Sequence, residues 1–164
     1  MKRLYLTRHA KSNWKDTGLT DFERPLNKRG KRDAPFMGKL LNEQGIKPDL
    51  IISSAAVRAV DTAKNISEKI GYRIDQIIID KSIYEADSLH LFEIIKSLSE
   101  KYNTVMLIGH NPDLTYFANY LGDKRIDNIP TCGIVTIEFD TGSWRLVQPE
   151  SGKIISFEYP KKYG

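Results

Sequence analysis

At 164 residues, with 40% hydrophobic and 28% charged side chains, the chain has the make-up of one globular domain large enough to bury a core. Three histidines and one cysteine are too few for a structural zinc cluster or an internal disulfide, and no apolar run approaches the roughly 20 residues that span a bilayer. A net charge of +4 suits an anionic ligand without choosing among phosphates, nucleic acid and acidic protein patches.

Read along the chain, short β-rich apolar runs alternate with helical patterns, which predicts a largely parallel sheet flanked by helices. The first run, 3–7, ends directly on Arg8-His9-Ala10. Asn27 is a cap for a helix running toward Gly45, with Met37, Leu40 and Leu41 on its apolar side. Pro35 predicts a kink in that helix, or a restart capped by Asp33. A strand at 50–53 leads through Ser53-Ser54 into a helix over about 55–70, stopped by Gly71, with Val57, Val60 and Ala63 as its buried stripe. A third strand is expected at 76–79, and Ser88 caps a helix through Leu91, Phe92, Ile95 and Leu98.

The strand at 104–108 runs into Gly109-His110-Asn111. Asn111 caps a helix with Pro112 at its first position and Gly122 at its end. Runs at 134–139, 143–147 and 153–157, with a turn at Asp140-Thr141-Gly142, read as an antiparallel hairpin or meander. The expected fold class is α/β: a single domain over 1–164 forming a three-layer α/β/α sandwich. Its central sheet is mostly parallel, with antiparallel C-terminal strands. Met1-Lys2-Arg3 leads straight into a core strand, which argues against a signal peptide, and Cys132 reads as a buried filler in a reducing cytoplasm. The one modest basic cluster, Lys28-Arg29-Gly30-Lys31-Arg32, reads as the solvated start of a helix, so neither nucleic acid nor a membrane is an expected partner.

The chemistry sits just past the strands, where open α/β sheets bind ligands. One strand ends in Arg8-His9, another in Ser53-Ser54 with Arg58 on the next helix's first turn, a third in Gly109-His110-Asn111. Helix N-termini there add free N–H groups and partial positive charge. Two imidazoles and two guanidiniums around one crevice make a positive, donor-rich pocket that suits an anion, with a nitrogen nucleophile beside a clamp for it. An imidazole that attacks must be neutral at the attacking nitrogen, with its other nitrogen donating to a neighbour.

These residues resemble the histidine phosphatase superfamily, named for an Arg-His-Gly signature, which includes phosphoglycerate mutases and acid phosphatases. Ala10 stands where that signature has Gly, a change that matters only where the backbone needs a positive φ. With the strings Arg24-Pro25-Leu26-Asn27-Lys28-Arg29-Gly30, Ser53-Ser54-Ala55-Ala56-Val57-Arg58-Ala59 and Gly109-His110-Asn111-Pro112, the chain is most similar to the compact SixA-type protein phosphohistidine phosphatases. The similarity runs from residue 3 to about residue 122.

The resemblance implies a phosphoglycerate mutase-like fold and a hydrolase that needs no metal or other cofactor. His9 matches the nucleophile that forms a phosphohistidine intermediate, Arg8 and Arg58 the clamp, and His110 the second histidine on the same oxygens. Ser12 matches a polar residue able to reach the phosphate, with a loop-satisfying serine as the other reading. Glu85 lies where many relatives carry an acid/base carboxylate, with Asp87 as its rival. Arg24 is expected to order the loop over the site through a salt bridge. The expected partner is a phosphohistidine-bearing protein or a small phosphoester, met by a monomer in the cytoplasm. The competing reading is a phosphate-binding module without turnover.

Overall fold

The apolar runs become strands because both faces of one sheet are covered by helices. The computed structural model describes residues 1–14 and 18–164. Its strands are β1 (Lys2–Arg8), β2 (Leu50–Ser53), β3 (Ile78–Ile79), β4 (Thr104–Gly109), β5 (Ile134–Phe139) and β6 (Gly152–Glu158). They lie in the order β3-β2-β4-β1-β5-β6. The pairs β2–β3, β2–β4 and β1–β4 are parallel, while β5 runs antiparallel to β1 and β6 antiparallel to β5.

The strand pleat divides the core. Leu4, Leu6, Ile52, Val105 and Leu107 face helices α3 (Ser88–Lys96) and α4 (Asp113–Leu121). Tyr5, Ile51, Met106 and Ile108 face α1 (Lys28–Glu43) and α2 (Val57–Ile70). This is the expected three-layer α/β/α sandwich with an antiparallel C-terminal edge. Register places Arg8 opposite Gly109 and Ser53 opposite Ile108. The carboxyl ends of β1, β2 and β4 are therefore level, and the residues just beyond them share one shelf.

Several local expectations are corrected. Pro35 neither kinks nor restarts α1, which runs unbroken through it from the Asn27 cap. An interior proline costs about 3 kcal/mol; the burial of Ala34, Met37 and Leu41 against the sheet and α2 outweighs it. Asp33 caps nothing: its buried carboxylate pairs with Arg29 and Arg32, each at 3.3 Å. On α2 the buried stripe is Ala59, Thr62, Ala63, Ile66 and Ile70, with Val57 and Val60 only half-buried. Small residues at 59 and 63 let this helix close on the sheet while turning Arg58 and Thr62 toward the shelf.

Only 78–79 of the expected third strand forms, because 74–76 winds into a 3₁₀ turn. The expected strand at 143–147 is also a 3₁₀ turn, Trp144–Leu146. Trp144 is drawn out of any ladder by burial and by its indole N–H, which donates to the Tyr102 carbonyl at 2.7 Å. The cap of α3 is Asp87 rather than Ser88, and its carboxylate accepts from the His90 N–H at 2.9 Å. At α4, Pro112 takes the cap position, while the Asn111 side-chain oxygen accepts from the Thr115 N–H at 3.1 Å.

Candidate active site

The shelf is built from backbone first. The residues after β1 are fixed from both sides: the His9 carbonyl accepts from the Cys132 N–H at 3.0 Å, and the Ala10 N–H donates to Thr62 Oγ1 at 2.9 Å. Thr62 Oγ1 in turn donates to the Arg58 carbonyl at 2.7 Å, tying β1 to α2. Gly30 abuts this loop so closely that a Cβ there would lie 2.1 Å from the Lys11 carbonyl oxygen, so α1 can start at this point only with glycine. Ala10 is fully buried and lies outside the positive-φ region, so its methyl group is accommodated without strain.

The structure brings Arg8, His9, Ser12, Arg58, Glu85 and His110 to the walls of one cavity of about 330 Å³, with Lys11, Arg24, Tyr84 and Asp21. His9 lies at the floor, 7% exposed. Its Nδ1 meets the Ala10 carbonyl at 2.7 Å, so Nδ1–H donates there and Nε2 keeps its lone pair. That lone pair faces Arg58 Nε at 3.4 Å. The His9 and His110 rings stand 5.1 Å apart. His110 Nδ1 also receives a guanidinium donor, Arg58 Nη2 at 3.4 Å, and its Nε2 lies 2.7 Å from Ser54 Oγ. With Nδ1 accepting, the His110 proton sits on Nε2 and is given to Ser54.

Arg8 donates from Nη1 to the Ile129 carbonyl at 3.0 Å. Its buried Nε has no partner among the described residues. A buried guanidinium nitrogen without a partner fits an incoming oxyanion. Ser12 is nearly buried, and its hydroxyl accepts from Arg24 Nη1 at 2.5 Å. Arg24 stacks on the exposed Trp14 ring, 3.4 Å from its centroid, and pairs with Asp21 at 2.8 Å. The salt bridge expected of Arg24 is thus the one to Asp21.

Glu85 is exposed at the rim. Its rival Asp87 is occupied as the α3 cap, and His90, 2.7 Å from Ser82 Oγ, stands outside the cavity. Asp21 and Tyr84 were missed by the sequence reading. The Asp21 carboxylate binds Arg24, Arg58 and the Tyr84 hydroxyl together, and no periodicity or motif in 18–24 announces that.

Burial pushes the His9 imidazole down to about 3, helped by the neighbouring His110, Arg58 and Arg8 and opposed by the Ala10 carbonyl. Burial, then Arg58, pushes His110 down to about 4. Both rings are therefore neutral at pH 7 in the free protein. The hydrogen bond from Tyr84, followed by those from the arginines, holds Asp21 well below the usual carboxylate range. Since His9 takes a proton only near pH 3, kcat/KM on an aryl phosphate, corrected for the substrate's own ionisation, is expected not to fall between pH 7 and about 5. An acid limb between pH 6 and 7 would refute the neutral-nucleophile assignment. Stability follows the same sign: the unfolded chain takes up these protons near 6.5 and the folded one does not. The thermal midpoint should accordingly fall as pH drops from 6.5 toward about 4.

The family model described as histidine phosphatase superfamily (branch 1) matches residues 4–103. The chain belongs to that superfamily. Membership of the histidine phosphatase superfamily indicates a phosphatase, a hydrolase. An uncharacterised chloroplastic protein of Arabidopsis thaliana is 32% identical over 151 residues, 87% of this chain and 69% of that one. A crystal structure assigned to the phosphohistidine phosphatase SixA of Agrobacterium tumefaciens superposes with a TM-score of 0.82 at 27% identity, covering 97% of this chain and 98% of that chain. The protein histidine phosphatase SixA complexed with tungstate shares the fold at a TM-score of 0.84 and 17% identity, covering 99% of each chain. Among the described residues no helix is long and apolar enough to cross a membrane, and no cluster of His, Cys, Asp and Glu is set to hold a metal ion.

Proposed function

We propose that this histidine phosphatase hydrolyses phosphohistidine on a protein, using His9 as nucleophile. The observation that carries the reading is the His9 ring itself: Nδ1 is locked to the Ala10 carbonyl, and the free Nε2 is aimed into a crevice of guanidiniums. In the first step Nε2 attacks phosphorus as the bond to the leaving nitrogen breaks, giving phospho-His9. Water then attacks phosphorus, releasing inorganic phosphate and restoring neutral His9. Phosphoryl transfer depends mainly on positioning and charge stabilisation, and Arg8, Arg58 and His110 supply both. When the phosphoryl group arrives, His110 takes a proton at Nδ1 and donates it to an oxygen while Nε2–H stays on Ser54. Ser12, already held by Arg24, lies within the same wall and adds a hydroxyl.

To Glu85, which lines the same cavity at its exposed rim, we assign the proton of the attacking water. A phosphohistidine ring that carries a proton on its far nitrogen leaves as neutral imidazole, whose conjugate acid has a pKa near 6.5, so it departs without strong acid help at the nitrogen that breaks from phosphorus. That matches a site where, among the described residues, the carboxylate not tied up by arginines is an exposed glutamate at the rim. The mouth carries exposed Trp14, and the exposed Phe22 packs edge-on against Tyr84 of the same wall, a setting that supports a side chain presented by another protein.

A panel of phosphorylated substrates, assayed with a chelator present, tests the proposal. Phosphohistidine carrier proteins are expected to exceed aryl and sugar phosphates in kcat/KM by at least about tenfold, the discrimination that one well-placed contact provides. Faster turnover of a small phosphoester would replace the protein substrate with a small molecule. Tight binding of phosphopeptide without any phosphate release would replace the enzyme with a binding module.

A further inference from the structure

Arg58 offers two hydrogen-bonding edges, and they are used differently. The edge made by Nε and one Nη2 hydrogen faces His9 Nε2 and His110 Nδ1, each at 3.4 Å. The opposite edge is taken by one residue: Nη1 donates to the Asp21 carbonyl at 2.6 Å and Nη2 to Asp21 Oδ2 at 3.1 Å. The same carboxylate oxygen accepts from the Tyr84 hydroxyl at 2.5 Å, while Oδ1 takes Arg24 Nε at 3.0 Å. A guanidinium is a rigid planar fork, so fixing its rear edge fixes the direction of its front edge. Asp21 itself is held by a short 3₁₀ turn, Asp21–Glu23, whose Thr20–Glu23 capping box closes it locally.

We infer that Asp21 is a positioning residue of the phosphatase: it aims the working edge of Arg58 at the phosphoryl group and offsets part of the charge of Arg8, Arg24 and Arg58. This inference rests on the phosphatase reading above. Its second half has a distinct consequence. Three guanidiniums around one dianion favour tight ground-state binding of substrate and product alike, which lowers KM without raising kcat. A carboxylate beside them weakens that uniform attraction and leaves the directed contacts to act in the transition state.

Asp21→Asn preserves the backbone carbonyl contact and the side-chain shape but removes the charge. A misaimed clamp is expected to lower kcat about tenfold or more. Tungstate binding, measured by calorimetry, should be unchanged or tighter, because the site gains net positive charge. A merely structural role would weaken kcat and tungstate affinity together, and that result overturns the inference. So does a kcat within twofold of the parent, or a raised one, which would make Asp21 a competitor of substrate. Tyr84→Phe keeps every charge and removes only the hydroxyl that holds Oδ2; its kcat should fall by a smaller factor with tungstate affinity intact, and an unchanged kcat counts against the inference. Thermal midpoints of both variants establish that they fold. His9→Ala is run alongside: if it matches the parent rate, the phosphatase reading fails, whereas a His9-dependent parent with an unaltered Asp21→Asn enzyme fails only the inference about Asp21.

Discussion

His9→Ala is expected to lower kcat on an aryl phosphate by a factor on the order of a thousand or more, the scale on which removing a covalent nucleophile acts. The size follows from what nothing else in the crevice can replace. His110 is the other imidazole, but its Nε2 is turned to Ser54 at 2.7 Å, and its Nδ1 is the nitrogen that takes up a proton to serve the phosphoryl oxygens in the proposed reaction. The arginines are permanently protonated, and the buried Ser12 hydroxyl is held by Arg24. A variant lacking His9 retains only the clamp, which binds phosphate without providing an acceptor for it. Two readouts check this. Steady-state turnover should collapse with little change in tungstate affinity, and the labelled phosphoenzyme of the parent, stable to base and labile to acid as an N–P bond is, should vanish. A variant as fast as the parent would remove imidazole attack from the mechanism.

Arg58→Lys is the second large effect. It retains the charge and loses the fork. Two charge-assisted hydrogen bonds from one edge, each contributing roughly 1.5–3 kcal/mol, correspond to about 10²- to 10⁴-fold in kcat/KM. Lysine reaches one oxygen at a time, so recovery over Arg58→Ala should be slight. Stability should hardly move. Burial and the nearby Arg58 already push the Arg8 guanidinium below its ordinary range. A flexible ammonium can swing away from Arg8, and that relief offsets the hydrogen bonds to Asp21 that lysine does not make. A lysine variant with near-parent kcat/KM would show that net charge suffices and that the fork geometry is irrelevant.

Much of this arrangement is legible in the sequence. Chemistry placed directly after strands 3–7, 50–53 and 104–108 is enough to assemble His9, Arg58 and His110, because parallel strands bring their carboxyl ends together whatever the sequence distance. The Asn27 cap is readable to the residue, whereas the caps of α3 and α4 fall one residue from where the sequence suggests. Errors cluster where tertiary contacts overrule local pattern. Trp144 alternates with Leu146 as a strand would, yet a buried partner for its indole proton decides its place. Pro35 signals a break that packing suppresses. Asp21 is invisible for a different reason: its partners, Arg24, Arg58 and Tyr84, come from three separate segments, and a single carboxylate in a polar loop carries no periodic signal. Glu85 can be named from its neighbourhood but not given a pose, since an exposed side chain is specified by its ligand more than by the fold.

The floor and the mouth of the crevice have separate origins. His9 and His110 extend from the strand ends, and Arg58 from the helix that follows one of them; Trp14, Phe22, Tyr84 and Glu85 come from connecting segments. Changes in those connections can therefore accumulate without retuning the attacking nitrogen, whose tautomer is set by a main-chain oxygen that no substitution removes. Descendants of such a scaffold are free to exchange one phosphorylated compound for another while inheriting the same bond-breaking apparatus, so diversification in this lineage should be written in the linkers rather than in the sheet.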